Sequence, residues 1–443
     1  MARTAVIGAG PSGLTASMFL GQDTVIYESS DSVGGFAKSH IVGDWTFDNG
    51  PHIMFSKDKR ILQFMIDSLG NNVHECRRNN RCIVGDQLVR YPIENDLAAL
   101  GPDLAARCLI DMVEAAVHRR DESAVGNLDS WFRNEFGDAL TDLYFKPYNE
   151  KVWKTPLDEL SMVWADRIPK PPLADVISGA LGLTKEGYLH QLNYQYPLQG
   201  GFQSIPQAWG ALISDRISLR NAVVAIAKRS DGTLVIEAEQ GSQSHERIIS
   251  TMPVDRLLGL CKFDIPARIR LAASQLRVNP MLTVTLGVTG TDPNRITALY
   301  VPDPSISYNR MSFPGVFSPK NCPPGHYSIQ AEVTLRPDDE PGSEEAYVAE
   351  LESFLRRSGL LSDTQDIVFR HCEYYEHAYV VYQAGYEDSI GEVKEWFSSQ
   401  GIQLHGRFGA FEYVNTDMCV FRSLELAARW LGHDDLYAPL ERF

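Results

Sequence analysis

The stretch TAVIGAGPSGLTASMFL, residues 4–20, predicts how the chain begins to fold. It reads as an apolar strand, a tight turn with the pattern Gly8-x-Gly10-x-x-Gly13, and an apolar helix. A second strand, TVIYE, ends at Glu28, about 20 residues after the first glycine, where an acid can hold a ribose hydroxyl. The glycines let a pyrophosphate approach the helix N-terminus, whose free N–H groups and dipole favour anions. Because strands flank the motif on both sides, the segment indicates a βαβ dinucleotide-binding unit.

The dinucleotide could be NAD or FAD, and the following residues favour FAD. After the acid the chain continues SSDSVGGFAKS, with a second glycine pair, Gly34-Gly35. This continuation resembles the glutathione-reductase-type FAD fold, in which such glycines bring the backbone close to the cofactor. Two distant segments, TMP after a buried strand and GRFGAFEYVNTDMCVFRSLELAARWL near the C-terminus, resemble the later parts of a discontinuous FAD domain. An ordinary nicotinamide dehydrogenase would lack them.

The length and composition are those of a multidomain globular protein. The 443 residues are expected to form two or three domains, and 44% hydrophobic with 22% charged residues is typical of soluble proteins. No apolar run reaches the roughly 18 residues that can span a bilayer. The chain enters an apolar strand almost at once, without a basic leader. We therefore expect a cytoplasmic protein without a membrane partner.

Charge and cysteine usage argue against several other kinds of partner. The net charge of −16 disfavours a nucleic-acid-binding surface, and a phosphorylated small ligand would need a local arginine site. The seven cysteines are scattered without a C-x-x-C pair, so we interpret most of them as small apolar residues in a reducing compartment. No HxxxH or carboxylate pattern suggests a metal, and none is predicted.

Outside the first unit the patterns predict a helical region and a largely antiparallel sheet. From about residue 98 to 190 the pattern is helical, and apolar residues recur at three- and four-residue spacing in 128–145, as in an amphipathic helix. Residues 221–239 resemble a hairpin around Asp231-Gly232, and RIISTMP reads as a buried strand stopped by proline. The segments MLTVTLGV and HYSIQAEVTL alternate in polarity, which favours antiparallel strands.

Several blocks together resemble one flavoprotein family, the UDP-galactopyranose mutases and their relatives. In chain order they are GGFAKSHIVGDWTFDNGPHIMFS, LVRYPIEN, FKPYNEKVWKTPLDELSMVWADRI, YPLQGGFQSIP and GRFGAFEYVNTD. The PYNEKVW block is fairly specific, whereas the wider clan includes protoporphyrinogen oxidases, amine oxidases and carotene desaturases. The resemblance implies an α/β protein with a discontinuous, glutathione-reductase-type Rossmann domain that binds FAD, an inserted helical domain and a mainly antiparallel β-sheet substrate domain. The expected ranges are 1–75, 195–275 and 395–443 for the FAD domain, 98–190 for the helical domain, and 76–97 with 276–394 for the sheet domain.

The chemistry implied by the resemblance is an isomerisation without net redox change. N5 of reduced FAD attacks the anomeric carbon of a nucleoside-diphosphate sugar, which is converted between pyranose and furanose forms. NAD(P)H is the reductant that the family implies, although no separate nicotinamide motif is visible. Two alternatives stay open: an oxidoreductase of the same clan acting on an amine, porphyrinogen or polyene, and a flavin-binding scaffold without chemistry. The sequence leaves the oligomeric state open, a homo-oligomer included.

The segment FDNGPHIMFS places His52 after Gly50-Pro51 and before apolar residues. The resemblance implies that this loop lies against the flavin near its reactive nitrogen, so His52 is expected to position or tune the cofactor rather than serve only as a core histidine. The family usually has a glycine before this histidine. Pro51 instead fixes φ and removes an N–H group, which predicts a slightly different loop.

The resemblance also identifies residues for the diphosphate. Arg407 in GRFG and Tyr413 match the family's diphosphate-binding arginine and tyrosine, Tyr379 matches a second tyrosine, and Arg167 in ADRI matches another substrate-domain arginine. The alternative is that both arginines are surface cations paired with nearby acids. The complete predicted set is catalytic His52, Arg167 and Arg407; cofactor-binding Gly8, Gly10, Gly13, Glu28, Gly34, Gly35, Gly200, Gly201, Asp417 and Met418; and substrate-binding Tyr91, Glu94, Tyr379 and Tyr413.

Two departures from the family pattern bear on the substrate. In the strand where the family usually has a second phosphate-contacting arginine, alignment places Thr289. In YPIEN, Glu94 stands where a glutamine commonly reads uracil. An ionised carboxylate accepts hydrogen bonds but cannot donate them, so Glu94 is expected to suit guanine or cytosine better than uracil. These departures affect the expected substrate and not the expected fold.

Overall fold

The computed structural model describes residues 3–119, 121, 125–183, 192–292 and 294–443. The strands are β1 (Thr4–Ile7), β2 (Thr24–Tyr27), β3 (Ser39–Val42), β4 (Trp45–Asp48), β5 (Val73–Arg77), β6 (Asn80–Val84), β7 (Gln87–Arg90), β8 (Asn193–Pro197), β9 (Ile217–Ser218), β10 (Val223–Lys228), β11 (Leu234–Ala238), β12 (Gly241–His245), β13 (Arg247–Ser250), β14 (Val278–Thr289), β15 (Ala298–Tyr300), β16 (Arg310–Ser312), β17 (His326–Thr334), β18 (Ile367–Val380) and β19 (Ile402–Leu404).

The helices are α1 (Pro11–Leu20), α2 (Lys59–Asp67), α3 (Pro102–Val117), α4 (Leu128–Leu140), α5 (Lys146–Trp153), α6 (Leu173–Ala180), α7 (Ser204–Leu212), α8 (Val254–Leu260), α9 (Ala267–Ser274), α10 (Pro314–Phe317), α11 (Glu344–Arg357), α12 (Tyr386–Ser399), α13 (Gly406–Gly409) and α14 (Thr416–Leu431). Within the described ranges, none of them has both the length and the apolar character that crossing a membrane requires.

Five strands from distant parts of the chain form one parallel sheet, in the order β19-β13-β1-β2-β9. Every neighbouring pair in this sheet is parallel. Parallel neighbours need a crossover connection, and α1 provides the one between β1 and β2. The helix is buried from Ser12 to Phe19 and contacts α7 and α14 as well as both strands. The predicted βαβ unit and the α/β fold class are confirmed.

The second large sheet has seven strands in the order β18-β14-β17-β16-β15-β6-β7. Its pairs are antiparallel except β15 with β6. The two alternating segments predicted as antiparallel strands are confirmed as β14 and β17, and residues 221–239 form the predicted hairpin, β10 with β11. All residues of β14 from Asn279 to Val288 are buried. Its apolar side chains share a core with Leu351 and Leu355 of α11. The threonines within this span lie on the opposite face of the sheet, where they are also buried.

The amphipathic helix predicted for residues 128–145 is interrupted at its centre. Gly137 has the non-helical angles φ 75° and ψ 171°, and a π-helical turn over residues 141–145 precedes α5. A Cβ on Gly137 would lie 2.6 Å from the backbone of Asp111 in α3. The Asp111 carboxylate accepts a hydrogen bond from the Ala139 N–H at 2.8 Å and so caps the second helical piece. The close approach of α3 therefore explains why one continuous helix was the wrong prediction here.

The predicted domain boundaries stay predictions, although the sheets show which segments associate. The parallel sheet draws its strands from 4–27, 217–250 and 402–404. β5 crosses the boundary predicted at residue 75 and pairs with β8 in a separate two-stranded sheet. The predicted end of the helical domain, residue 190, lies outside the described residues.

The β3–β4 hairpin carries the segment that contains His52. The aromatic side chains of β4 pack in a small apolar core with Phe369 of β18. Asp48, the last residue of β4, accepts hydrogen bonds from the Ser39 hydroxyl at 2.6 Å and the Tyr196 hydroxyl at 2.8 Å. The backbone N–H of Phe202 donates a third at 3.0 Å. These contacts fix the end of the hairpin and the direction in which the next residues leave it.

Replacing Gly13 with alanine is expected to destabilise the parallel sheet. A Cβ here would lie 2.0 Å from the carbonyl oxygen of Gly8 and 3.3 Å from Val6, so the turn or α1 must move. We expect the free energy of unfolding of the apoprotein, measured by urea denaturation, to fall by about 1–3 kcal/mol, the range typical of overpacked sites.

The matched control for that variant is Gly391→Ala in α12. Gly391 is also helical, and nothing lies within 4 Å of the position its Cβ would take. Alanine is favoured over glycine inside helices by about 0.5–1 kcal/mol, so this protein should be at least as stable as the parent. Equal stability of the two variants would contradict the contact between α1 and the turn.

Candidate functional site

A cavity of about 980 Å³ is lined by residues of both large sheets. Its volume is at the upper end of the range typical of small-molecule sites, about 300–1,000 Å³. One part of the wall is the turn after β1 with the end of β2, and another part is rich in arginine and tyrosine. The sequence-predicted residues that line it are Gly8, Gly10, Glu28, Gly35, His52, Tyr379, Arg407 and Tyr413.

The turn after β1 and the turn after β2 touch through glycine backbones. A Cβ on Gly10 would lie 3.6 Å from the Cα of Gly35, and a Cβ on Gly35 would lie 3.0 Å from the Cα of Gly10. Gly35 also has a φ of +52°, a backbone angle that residues other than glycine rarely adopt. The N–H of Gly34 donates to the carbonyl of Ala9 at 2.9 Å. The wall at the N-terminus of α1 therefore consists of bare backbone, as a pyrophosphate requires.

Glu28 is fixed at the end of β2 by backbone donors. One carboxylate oxygen accepts from the Ala9 N–H at 2.7 Å, and the other accepts from the Ser30 N–H at 2.8 Å. The carboxylate is buried but lines the cavity. It is thus held at the position where a dinucleotide ribose would meet it.

The segment GRFG forms α13 and packs against the same turn. Gly406 has a φ of +74°, and a Cβ on it would lie 2.7 Å from the Ser12 hydroxyl. A Cβ on Gly409 would lie 2.5 Å from the carbonyl oxygen of Ser250 at the end of β13. Since both glycines are needed for this close packing, the two residues between them, Arg407 and Phe408, are placed at the cavity wall.

Arg407 is held by stacking and by one backbone acceptor. Its guanidinium carbon lies 4.2 Å from the ring centroid of Tyr413, and one Nη donates to the Ala378 carbonyl at 2.9 Å. Its Nε is buried without a hydrogen-bond partner. Its acidic neighbour Glu412 pairs instead with Lys394 and Arg422. The alternative reading of Arg407 as a surface cation in an ion pair with Glu412 is therefore wrong.

Tyr379 and Tyr413 form parallel walls of the cavity. Their ring centroids are 6.2 Å apart with an interplanar angle of 12°. Trp153 from the PYNEKVW block meets both rings edge-on, at 5.8 and 5.7 Å. Trp153 in turn stacks on Trp164 at 4.0 Å. This block thus supplies the packing that orients the two tyrosines.

An ion pair that the sequence did not reveal lies beside Tyr379. Arg310 of β16 donates to both carboxylate oxygens of Glu332 in β17, at 2.8 and 2.9 Å. The Tyr379 hydroxyl donates to Glu332 at 2.6 Å. Glu332 is completely buried, and all three side chains line the cavity. The two strands pair Arg310 with Glu332 directly, a register that only the folded sheet reveals.

Thr289, where alignment placed the missing second arginine, lies away from the cavity. It ends β14, its N–H donates to the Asp366 carbonyl at 3.0 Å, and its hydroxyl accepts from the Asp366 N–H at 2.9 Å. Arg310 supplies a cation to the cavity from a different strand. The departure at Thr289 therefore does not leave Arg407 as the one arginine among the described lining residues.

A second cavity of about 400 Å³ continues from the first, since Arg78 and Asn80 line both. Its wall contains five arginines, and also Tyr91 and Asn95 from the YPIEN segment. This concentration of positive charge contrasts with the net charge of −16. The five arginines are Arg77, Arg78, Arg81, Arg90 and Arg295.

Two other predicted site residues, Arg167 from the catalytic set and Glu94 from the substrate-binding set, are absent from the described lining of both cavities. Arg167 is exposed, donates to the backbone carbonyl of Tyr413 and stacks on that ring at 5.0 Å, so it supports Tyr413 from outside. Glu94 is only 2% exposed and is absent from the described lining of both cavities. Burial raises the pKa of Glu94 to about 7.

Several predicted cofactor-binding residues pack within the fold and do not line the cavity. A Cβ on Gly201 would lie 2.3 Å from the Ser39 hydroxyl and one on Gly200 2.7 Å from the Ser204 hydroxyl, so the pair forms a tight turn against the β3–β4 hairpin. Gly13 packs beneath the first turn, as described above. Asp417 and Met418 lie in the first turn of α14, beside Asn415, Thr416 and Cys419, which do line the cavity.

His52 lies at the cavity wall with a defined proton position. Its Nδ1 is 2.8 Å from the Gly50 carbonyl oxygen, which can only accept, so Nδ1 carries the proton and Nε2 has a free lone pair. Its ring packs against Phe202 at 5.0 Å and Phe36 at 6.0 Å. Burial, together with the positive charge of Arg407, lowers the pKa of His52 to about 4. The imidazole is therefore neutral near pH 7.

Nitrogen-15 NMR of histidine-labelled, FAD-loaded protein should show His52 as a neutral imidazole protonated on Nδ1, charging only below about pH 5. Because the unfolded chain takes up this proton near pH 6.5, the stability of the fold should decrease as pH falls from about 6.5 to 4. His52→Gln, which also assigns the resonance, should lose this part of the pH dependence. A midpoint near 6.5 for His52 would contradict its burial.

Comparison with known proteins identifies the group to which these features belong. A family model described as flavin containing amine oxidoreductase matches residues 13–368, more than half of the chain. The structure of reduced UDP-galactopyranose mutase superposes with a TM-score of 0.90 at 24% identity, over 100% of this chain and 98% of that one. A CLA-producing fatty acid isomerase from P. acnes gives a TM-score of 0.65 at 17% identity, over 97% and 98%. Putrescine oxidase bound to putrescine gives 0.64 at 18% identity, also over 97% and 98%.

These structural likenesses show the fold and not the reaction, since the three proteins differ in activity. A flavin-containing family and a mutase neighbour imply FAD as the dinucleotide, in agreement with the bare glycine turn and with Glu28. The chain therefore belongs to the flavin containing amine oxidoreductase family, with the fold of UDP-galactopyranose mutase.

Proposed function

We propose that this protein is a FAD-dependent nucleotide-sugar mutase that interconverts pyranose and furanose forms without net redox change. The observation that carries the proposal is the presence of Arg78, Arg310 and Arg407 in the same cavity as the dinucleotide turn. Arginine forms charge-assisted hydrogen bonds with phosphate, and because Glu332 occupies the fork of Arg310, we assign the nucleoside diphosphate to Arg78 and Arg407. The likeness of the fold to UDP-galactopyranose mutase supports the same assignment.

The residues of the cavity fit FAD. The backbone of Gly8, Gly10 and Gly35 leaves room for the pyrophosphate, and Glu28 is held for the ribose. The N-terminus of α1 is capped by Gly10 without a side-chain hydrogen bond, which leaves its N–H groups for the phosphates. Reduced FAD, when bound, supplies a nucleophilic nitrogen for the anomeric carbon.

Arg407 is oriented for a diphosphate before any ligand arrives. Its stacking on Tyr413 and its bond to the Ala378 carbonyl leave Nε buried and unpaired at the cavity wall. A diphosphate oxygen would satisfy that group, and hydrogen bonds to charged groups contribute about 1.5–3 kcal/mol. As the diphosphate departs from the sugar, the fixed guanidinium stabilises the developing negative charge without reorganisation.

An amine oxidation is the alternative that the family name suggests. A protonated amine would enter a cavity with four arginines and two acids among its described lining residues. Of the acids, Glu332 is paired with Arg310, and Glu28 is engaged by backbone N–H groups at the dinucleotide turn. Like-charge repulsion therefore disfavours a cationic substrate and favours an anionic one.

His52 is suited to accept a hydrogen bond and not to act as an acid. With its proton on Nδ1, the Nε2 lone pair can accept from the cofactor or from a sugar hydroxyl. Its lowered pKa keeps the ring neutral near pH 7, so it adds no charge beside Arg407. We assign it the positioning of the reacting groups.

The base would occupy the smaller, arginine-rich cavity. Tyr91 offers a ring there, and Glu94 lies behind it. Because Glu94 is absent from the described lining of both cavities, we assign it no contact with the base. The sequence argument against uracil is thereby weakened, and UDP, CDP and GDP sugars remain candidates. NAD(P)H, proposed as the reductant, could bind to the same arginines through its phosphates.

The experiment that tests the proposal combines FAD-loaded protein, reduced with dithionite or NADPH, with a panel of UDP, CDP and GDP sugars. We expect a furanose product from at least one of them, detected by chromatography and NMR, with reduced protein only. Oxidised protein is the control. Peroxide release with putrescine or another amine, and no isomerised nucleotide sugar, would contradict the mutase and favour the oxidase.

Arg407→Ala is expected to weaken the binding of the nucleoside diphosphate by about 1.5–3 kcal/mol, roughly 10–150-fold in Kd, measured by calorimetry. Arg407→Lys should recover part of the affinity, because it keeps the charge and loses the fork. Arg429→Ala, on the exposed side of α14, is the matched control and should bind like the parent. Unchanged affinity in the alanine variant would refute the role of Arg407.

A further inference from the structure

Two histidines and a glutamate from distant parts of the chain meet beside the edge strand β18. They are His40 of β3, and His371 and Glu373 of β18. One ring nitrogen of each histidine and one carboxylate oxygen all lie within 4.8 Å of one another. The Nε2 of His371 lies 3.3 Å from the Oε2 of Glu373. The cluster is separate from the cavity lining and has no part in the function proposed above.

Strand geometry explains why the three side chains converge. Successive side chains of a strand point to opposite faces, so His371, Glu373 and Tyr375 share one face of β18. The alternate residues Tyr374 and Glu376 are exposed on the other face. The β3–β4 hairpin covers the first face, and it brings His40 to within 5.4 Å of His371, ring centroid to ring centroid.

The two imidazoles are already oriented by their surroundings. His40 stacks on Phe47 at 5.3 Å with an interplanar angle of 15°, and Phe47 also packs against His371 at 4.9 Å. The Nε2 of His40 is 3.1 Å from the Tyr375 hydroxyl. The side chains of His371 and Glu373 are 26% and 36% exposed, so an ion can reach them from solvent. Fixed rings at an accessible position are what a metal site requires.

A buried hydroxyl beside the cluster has no partner among the residues that the structure describes. Thr285 of β14 pairs in register with His371, so its side chain lies on the same face of the sheet. It is completely buried, and its hydroxyl makes no hydrogen bond to the described residues. Unsatisfied buried hydroxyls are uncommon because each costs free energy. A water bound to an ion at the cluster would give Thr285 a partner.

We propose that His40, His371 and Glu373 form a binding site for a Zn²⁺ ion, with water in the fourth position. Two imidazoles and one carboxylate are ligands that zinc uses, with bonds of about 2.0–2.2 Å. In a tetrahedral arrangement such bonds place the ligand atoms about 3.4 Å apart, close to the separation of His371 and Glu373. Small rotations of the side chains bring His40 to the same distance.

The ion would tie the β3–β4 hairpin to the antiparallel sheet. Tyr375, beside the cluster, donates a hydrogen bond to Asn49 at 3.0 Å, and Asn49 lines the large cavity next to the His52 loop. A cross-link at His40 therefore holds the hairpin from which that loop extends.

The test uses the full-length, FAD-loaded protein after treatment with EDTA, titrated with Zn²⁺ in competition with a chromophoric chelator. We expect one equivalent to bind and to raise the melting temperature. His371→Ala, His40→Ala and the isosteric Glu373→Gln should each weaken binding by more than about tenfold, since even outer-shell partners contribute that much. Co²⁺ should give the visible bands of a tetrahedral site in the parent protein and not in these variants.

His326→Ala is the matched control, because His326 lies outside the cluster on β17, which β14 separates from β18. It should bind Zn²⁺ like the parent. Flavin absorbance and circular dichroism establish that each variant is folded, and Glu373→Gln keeps the shape of the side chain if the histidine variants do not fold. Absence of one-equivalent binding, or equal affinity in the parent and in Glu373→Gln, would overturn the proposal.

Discussion

Glycine-to-backbone contact at the N-terminus of α1 is the constraint on which the rest of the cavity depends. Gly10 meets Gly35 there, and Gly406 meets Ser12, so chain segments more than 350 residues apart converge on a single helix end. No side chain could occupy these contacts without moving a strand or a turn. The same closeness leaves bare backbone for a pyrophosphate and fixes α13, which carries Arg407. The close packing at this helix end thus positions both the glycine turns proposed to bind the cofactor and the arginine proposed to bind the substrate.

The parts of this arrangement that depend on local spacing could be predicted from the sequence. The glycine turn, Glu28 at the end of its strand and Arg407 between two glycines each occur within short segments whose pattern is diagnostic. Side chains whose position depends on the packing of distant elements were harder to predict. Arg167 has the right neighbours in sequence but is held outside Tyr413. Glu94 lies in a matching motif but is buried and does not line either cavity. A motif match gives the place of a residue along the chain, whereas burial depends on what packs over it.

Cross-strand pairs were the second kind of feature beyond the reach of the sequence. Arg310 and Glu332 are neighbours only because β16 and β17 adopt one register, and a shift by one residue would turn either side chain to the opposite face. His40 and His371 likewise meet only because the β3–β4 hairpin lies over β18. Neither pair has a recognisable spacing along the chain. The sequence therefore indicated neither Arg310 at the cavity wall nor a metal site, whereas the folded sheet brings Arg310 of β16 to the cavity and places three possible metal ligands at its edge.

Glu373 of the proposed metal site lies in the same row across the antiparallel sheet as the ion pair of Arg310 and Glu332. In register, Glu373 of β18 is beside Thr283 of β14, Thr283 is beside Glu332 of β17, and Glu332 is beside Arg310 of β16. Two strand spacings separate Glu373 from Glu332, a distance of about 10 Å. Charges at this separation are only partly screened when the intervening row is buried, and Thr283 is fully buried. A divalent cation at Glu373 would therefore add positive charge to the row that contains the ion pair of Arg310 and Glu332. The edge of the sheet and the floor of the cavity are electrostatically one surface, because the sheet register makes them consecutive.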